Sequence, residues 1–214
     1  MLFLLHPNIT RTFLTVFQCV DISNNEARVR VDLEMICYSY QHLLWWFILG
    51  FPTILIWGIG IPLSAFILIY RNRNKLEEES VKHYYLLLYQ GLKKEWFYWE
   101  FVNTSRKVLV LSINIFLSTY PLMYRLLFNI ILLIGFLRLQ IHLQPYKRDR
   151  TNKLERKELI AGIMSMFGGT LFIDEKDKIN EINLAVFIFV VALNIHFIIY
   201  WVYWLLFALK DTHQ

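Results

Sequence analysis

The residues best suited to chemistry are charged and amide side chains within a long apolar segment, residues 96–120. Four of them are spaced by three, four and seven positions: Glu100, Asn103, Lys107 and Asn114. At about 100° per residue, this spacing places all four on one face of a helix. Such side chains are costly in hydrocarbon, so they must face protein or water. They could line a hydrated path for cations or protons, or they could hold helices together through hydrogen bonds.

A second polar set lies in the next apolar segment, residues 122–143. Arg125 and Asn129 are four positions apart and share a helix face, and Arg138 lies near the end of the segment. The link between the two segments is very short, which predicts antiparallel neighbours. Glu100 would then lie level with Arg138 in the membrane, and we predict an ion pair between them. The seven residues together form the predicted polar interior and candidate ion path.

Five apolar segments must position these residues. They cover residues 42–70, 96–120, 122–143, 159–173 and 182–209. A spanning helix needs about 20 mostly apolar residues, and four of the five segments reach that length. Hydrophobic residues make up 57% of the chain, and a chain of 214 residues has too little protein to bury five apolar helices. We therefore predict an all-α membrane protein with a five-span helical bundle over residues 42–209.

The distribution of basic residues predicts the orientation of the bundle. The net charge of +5 comes mainly from two connections, residues 71–94 and 146–157, and this clustering does not indicate a nucleic-acid partner. Basic loops stay cytoplasmic, which places residues 1–41 outside and the tail, residues 210–214, inside. If residues 159–173 are a re-entrant hairpin, the tail lies outside instead. Residues 81–94 mix tyrosine, leucine and lysine, and they predict a cytoplasmic helix in the interface with membrane lipid.

The N-terminal segment contains both cysteines of the chain, Cys19 and Cys37. They lie on two alternating stretches, residues 12–21 and 27–37, which predict a small β-hairpin. Outside the cell the two cysteines would form a disulfide; the alternative is two free buried thiols. Asn8 begins an Asn-X-Thr sequon, which predicts a glycoprotein if this segment lies outside. The sequence leaves open whether Met1 is the true start or an internal residue of a longer chain.

The short fourth segment carries small residues at helical spacing. They favour close helix packing, and Gly168 with Gly169 could instead break the helix to form a pore entrance. An acidic loop follows at once and would attract cations to such an outer mouth, although a solvated loop is the simpler interpretation. The candidate mouth residues are Gly168, Gly169, Asp174, Glu175 and Asp177.

No catalytic constellation, metal-ligand spacing or cofactor motif is recognisable in the sequence. The six histidines are scattered. Asn194 and His196 are isolated in the last apolar segment, and a satisfied core histidine is a simpler interpretation of His196 than a ligand. We therefore expect neither an enzyme nor a resident cofactor.

Several short motifs carry a family resemblance. They are Phe97-Tyr98-Trp99-Glu100-Phe101-Val102 with Arg106-Lys107, Trp57-Gly58-Ile59-Gly60-Ile61-Pro62, Leu139-Gln140 with Pro145-Tyr146, and Asn152-Lys153-Leu154-Glu155. As a set, they resemble the C-terminal multi-pass membrane core of large ciliate-type surface proteins with cysteine-rich extracellular repeats. That core is in turn distantly similar to the TRP-like family.

The resemblance implies an integral protein of the plasma or ciliary membrane. It also implies a channel-related core that transports cations, and a pore would need several copies or other membrane subunits because five helices enclose little space. The alternative is a non-conducting structural subunit or receptor anchor within a larger membrane assembly.

Overall fold

The computed structural model describes residues 2–22, 26–73, 86, 89–172 and 181–212. It divides into two compact units, residues 1–121 and 122–214. Each unit is described separately below.

The first unit begins with a helix and a three-stranded sheet. Helix α1 covers Leu2–Thr15, and strands β1 (Cys19–Ile22), β2 (Glu26–Val29) and β3 (Asp32–Ile36) pair antiparallel in the order β1-β2-β3. Cys19 pairs with Val29 in register. The Cys19–Cys37 disulfide, with Val29, forms the small apolar core of this sheet. The predicted disulfide is therefore present, and it links the first residue of β1 to the residue that directly follows β3.

A continuous helical run, α2, follows over Tyr40–Arg71. Its turns widen to π-helix at Trp46–Gly50 and Ile54–Gly60. Pro52 lies between the two wide segments and Pro62 follows the second. Proline has no N–H to donate, and wider turns let neighbouring backbone groups find other partners within the membrane. The helix thereby keeps the length of a span despite two prolines.

The first unit ends with a short 3₁₀ turn at Lys94–Trp96 and helix α3 at Trp99–Phe116. Gly91, with φ of 81°, forms the turn before it, a conformation that glycine adopts at little cost. Ile69 of α2 packs against Phe97 and Phe101, which joins α2 to the start of α3. Tyr89 packs against the same cluster, and burial raises the pKa of its phenol.

The second unit is a three-helix arrangement. Helices α4 (Leu122–Leu143), α5 (Asp149–Leu171) and α6 (Glu181–Thr212) follow one another, and α5 contacts both of the others. The first half of α5 is polar and its second half is apolar. Side chains of α6 are exposed nearly all round, as expected for a helix surrounded by lipid.

The prediction of five spans is wrong in number. Within the described residues, three helices are long and apolar enough to cross a membrane: Tyr40–Arg71, Leu122–Leu143 and Asn183–Phe207. Helix α3 carries three charged side chains within 18 residues. The segment at 159–173 is only the apolar half of α5, whose first half begins with Asp149 and Arg150. By apolar length and composition alone, neither segment therefore qualifies as a span.

Four smaller predictions also differ from the fold or lie outside the described residues. The stretch at 12–21 is helical up to Thr15, so only its end joins the sheet, and the stretch at 27–37 bends into β2 and β3. The basic connection at 146–157 is helical from Asp149 onward. Half of the predicted interfacial helix over residues 81–94 lies outside the described residues, and the described residues 90–93 form a turn and irregular chain instead of a helix. Asp174, Glu175 and Asp177 of the predicted outer mouth also lie outside the described residues.

Candidate functional site

The polar stripe of α3 lies partly inside the first unit. Asn103 and its neighbour Arg106 are each only 6% exposed, Glu100 and Asn114 are half-buried, and Lys107 is exposed. Asn114 donates from Nδ2 to the Val110 carbonyl at 2.8 Å, within its own helix. The predicted face is therefore buried at Asn103, half-buried at Glu100 and Asn114, and exposed at Lys107.

The polar residues of α4 belong to the second unit. Asn129 is fully buried and donates from Nδ2 to the Arg125 carbonyl at 2.9 Å. Its Oδ1 and the Arg125 Nε are buried without a hydrogen-bond partner in the described part of the chain. Arg138 is exposed. Because Glu100 and Arg138 lie in different units, their ion pair stays a prediction, as does a single path through all seven residues.

Asn194 of α6 bonds directly to α5. Its Nδ2 donates to the Ser165 hydroxyl at 2.8 Å and to the Val190 carbonyl of its own helix at 2.8 Å. The Ser165 hydroxyl in turn donates to the Ala161 carbonyl at 2.7 Å. Asn194, isolated in the sequence, thus finds its partner 29 positions away. His196 is exposed, so its interpretation as a core histidine is wrong.

The small residues of α5 lie against both neighbouring helices. A Cβ added at Gly168 would lie 2.8 Å from a methyl group of Val190 in α6. On the other side, a Cβ at Gly162 would lie 3.8 Å from Leu133 in α4, and one at Gly169 would lie 3.8 Å from Leu126. Helix α5 continues through both glycines to Leu171, so the alternative of a helix break at Gly168-Gly169 is wrong. The role of these glycines at an outer mouth stays a prediction.

The connection from α4 to α5 is fixed by Asn152. The Tyr146 amide donates to Asn152 Oδ1 at 3.1 Å, and Asn152 Nδ2 donates to the Tyr146 carbonyl at 2.9 Å. Gln140, which is 1% exposed, donates from Nε2 to the same Oδ1 at 3.4 Å. Gln144 turns the chain in the left-handed region with φ of 42°. One buried amide thus holds the end of α4, the connection and the start of α5 together.

A polar cavity of about 220 Å³ opens beside this network. It lies where α4 ends and α5 begins, and it is lined mainly by polar and charged side chains. Those side chains are Gln140, Gln144, Asp149, Asn152, Lys153 and Arg156.

Basic residues of α5 also lie over aromatic rings of α6. The Arg150 guanidinium carbon lies 4.5 Å from the Trp204 ring centroid, and Lys157 Nζ lies 3.6 Å from the Tyr200 ring centroid. Such cation–π contacts each contribute about 0.5–2 kcal/mol. The aromatic residues near the end of α6 therefore both suit a membrane interface and hold the polar half of α5.

The N-terminal sheet is joined to α2 by His42, which is 2% exposed. The Tyr38 amide donates to His42 Nδ1 at 3.1 Å, which makes Nε2 the protonated nitrogen. Nε2 then donates to the Val16 carbonyl at 3.2 Å. The disulfide-closed sheet, the end of α1 and the first span therefore share one buried side chain.

The glycosylation sequon lies in α1. Asn8 is exposed, whereas Thr10 is only 1% exposed and its hydroxyl has no partner among the described residues. Glycosylation at Asn8 stays a prediction. No group of three His, Cys, Asp or Glu side chains in the described ranges is placed to hold a metal ion.

Comparison with known proteins gives one distant relative. The chain is 27% identical over 225 aligned positions to cysteine repeat modular protein A of Toxoplasma gondii. The alignment covers 99% of this chain and 7% of that protein, so the chain spans a small fraction of the relative it matches. No family model matches the chain, and no solved structure matches it. This match gives weak support to the resemblance to cysteine-repeat surface proteins, and the resemblance to the TRP-like family has no support.

Proposed function

We propose that this chain is a membrane core that anchors a larger cysteine-repeat surface protein. The observation that carries the proposal is the use of polar side chains in the second unit. Asn194 and Ser165 bond to each other between helices, and Asn152 with Gln140 fixes the connection from α4 to α5. Polar contacts of this kind hold membrane helices together, each contributing about 0.6–2 kcal/mol.

The proportions of the distant match support the same proposal. This chain aligns with 7% of a relative that is named for cysteine repeats, so most of that relative lies outside the aligned part. An anchor needs apolar helices and a stable connection to the attached part. The disulfide-closed sheet and His42 supply such a connection at the start of α2. We place this sheet outside the cell, where a disulfide persists.

Orientation follows from charge in this proposal. With residues 1–41 outside, three spans would place the basic connection at 146–157 outside as well. A crossing by α3 would return it to the cytoplasmic side, as the positive-inside rule favours. The 18 residues of α3 rise about 27 Å, close to the hydrocarbon thickness of about 30 Å. We therefore propose that α3 crosses despite its charges.

The anchor proposal is tested by membrane retention and by side-specific labelling. Alkaline carbonate should leave the chain in the membrane pellet, and release into the supernatant would overturn the proposal. In intact cells, a cysteine placed at exposed Lys147 should resist an impermeant thiol reagent until the membrane is opened. Labelling of Lys147→Cys in intact cells would place residues 146–157 outside and would contradict a crossing by α3.

Cation conduction is the second candidate function. The observation that favours it is the partly buried polar face of α3, where Glu100 is half-buried beside buried Asn103 and Arg106. Its test is cation flux through purified protein in sealed liposomes, with Glu100→Gln compared with wild type. Flux that Glu100→Gln alters would support conduction. Absence of flux from folded, correctly oriented protein would leave the anchor as the function.

A further inference from the structure

The cavity at the α4–α5 connection has the chemistry of a headgroup site. Its α5 side is formed by Asp149, Asn152, Lys153 and Arg156. These residues follow the pattern i, i+3, i+4 and i+7, so they share one face of the helix. The last turn of α4 and the residue that follows it contribute Gln140 and Gln144 to the lining.

Gln140 presents a buried acceptor that has no partner. Asn152 is held in one amide orientation, because its Oδ1 accepts from the Tyr146 amide and its Nδ2 donates to the Tyr146 carbonyl. Gln140 must then direct Nε2 toward that Oδ1. Its Oε1 is left buried without a hydrogen-bond partner among the described residues. A buried acceptor of this kind favours a ligand that brings an N–H or O–H donor.

The charged groups of the cavity have mixed sign. Lys153 and Arg156 suit a phosphate, and Asp149 suits a cation. None of the three forms an ion pair within the described ranges. A ligand that carries both a phosphate and an ammonium group would match this arrangement.

The cavity lies where such ligands are concentrated. Helix α4 is a candidate span that ends at Leu143, and the basic, polar start of α5 follows it directly. The connection is therefore at the depth of lipid headgroups, where basic pockets between helices bind them. Trp204 and Tyr200, which contact the same half of α5, are residues typical of that depth.

We propose that this cavity binds the phosphoethanolamine headgroup of a membrane lipid. Lys153 and Arg156 bind its phosphate, and Asp149 with Gln140 Oε1 accepts from its primary ammonium. The inference goes beyond the anchoring function and requires only that α4 lies in a bilayer. It also predicts discrimination against phosphocholine, which has the same charges but no N–H to donate.

The test compares two lipids that differ only in the ammonium group. The full chain in detergent micelles is given equal amounts of phosphatidylethanolamine and phosphatidylcholine with identical acyl chains, and bound lipids are counted by native mass spectrometry. We expect phosphatidylethanolamine to bind about tenfold better, the ratio supplied by one charge-assisted hydrogen bond. Equal binding of the two lipids would overturn the proposal, and this comparison needs no variant.

Variants separate the two halves of the site. Asp149→Asn should reduce the preference for phosphatidylethanolamine while leaving lipid binding, and Arg156→Gln should weaken binding of both lipids. Lys147→Gln is the matched control, because it removes one charge from an exposed residue outside the cavity. If Lys147→Gln weakens binding as much as Arg156→Gln does, general charge attraction explains the result and the site is refuted.

A soluble competitor identifies the source of the headgroup. Glycerophosphoethanolamine, added in excess, should displace the lipid if the headgroup alone is recognised. Retention of lipid despite the competitor would support a lipid source held by its acyl chains as well. A chain that carbonate releases from membranes would refute the anchor instead, so the two failures are distinguishable.

Discussion

Asn194 of α6 donates a hydrogen bond of 2.8 Å to the hydroxyl of Ser165 in α5, and this contact joins two helices of the second unit. In an apolar bundle such a bond supplies specificity, because it satisfies a polar group that lipid cannot. The same Asn194 nitrogen reaches the Val190 carbonyl, so its position along α6 is fixed as well.

The contribution of this bond is measurable by a double-mutant cycle. Asn194→Val and Ser165→Ala should each destabilise the second unit, and together they should show a coupling energy of about 0.6–1.7 kcal/mol. Unfolding in detergent, followed by circular dichroism, gives the four stabilities. Strict additivity would show that the two side chains do not interact.

Gly168 and Gly162 form a matched pair for testing helix packing. Gly168→Ala places a methyl group 2.8 Å from β-branched Val190, whereas Gly162→Ala meets Leu133 at an ordinary 3.8 Å. We expect the first change to cost about 1–3 kcal/mol, as overpacking does, and the second to be neutral or stabilising in a helix. Thermal unfolding of both variants checks this expectation.

Val190→Ala should remove the clash that Gly168→Ala creates. Gly168→Ala combined with Val190→Ala should recover part of the stability lost in Gly168→Ala alone. If Gly168→Ala and Gly162→Ala behave alike, α5 and α6 are not in the close contact described here.

The disulfide should stabilise the N-terminal sheet in particular. Cys19 and Cys37 are 18 positions apart, and closing a loop of about that size contributes about 3 kcal/mol. Replacing both by alanine should speed hydrogen exchange over residues 19–37 and leave α4 to α6 unchanged. Unchanged exchange in the sheet would mean that strand pairing alone holds it.

Among the histidines whose side chains the structure describes, His42 should contribute most to the stability of the first unit. His42→Ala removes two hydrogen bonds, to the Tyr38 amide and the Val16 carbonyl, at about 1 kcal/mol each. His142, which is exposed, is the control. We expect faster hydrogen exchange at the Tyr38 amide in His42→Ala and an unchanged exchange rate there in His142→Ala. Equal behaviour of the two variants would contradict a joining role for His42.

The sequence by itself indicated helices long and apolar enough to span a membrane, because uninterrupted apolar length is a local property. Helix α4 begins and ends at the residues predicted, Leu122 and Leu143, and the disulfide between Cys19 and Cys37 was also predicted correctly. The bounds of α4 depend on local composition, and two cysteines allow only one disulfide. The number of spans was overestimated because the apolar segment at 159–173 is only the second half of α5, a helix that begins with Asp149 and Arg150.

Only the tertiary structure decided which polar groups meet. Asn194 and Ser165 are 29 positions apart, and nothing in their spacing indicates the contact. The cavity beside Gln140 likewise exists because Asn152 folds the connection back on α4. Helix periodicity defines a face, but the partner of that face depends on how separate helices pack, and packing is set by interactions between residues distant in the chain.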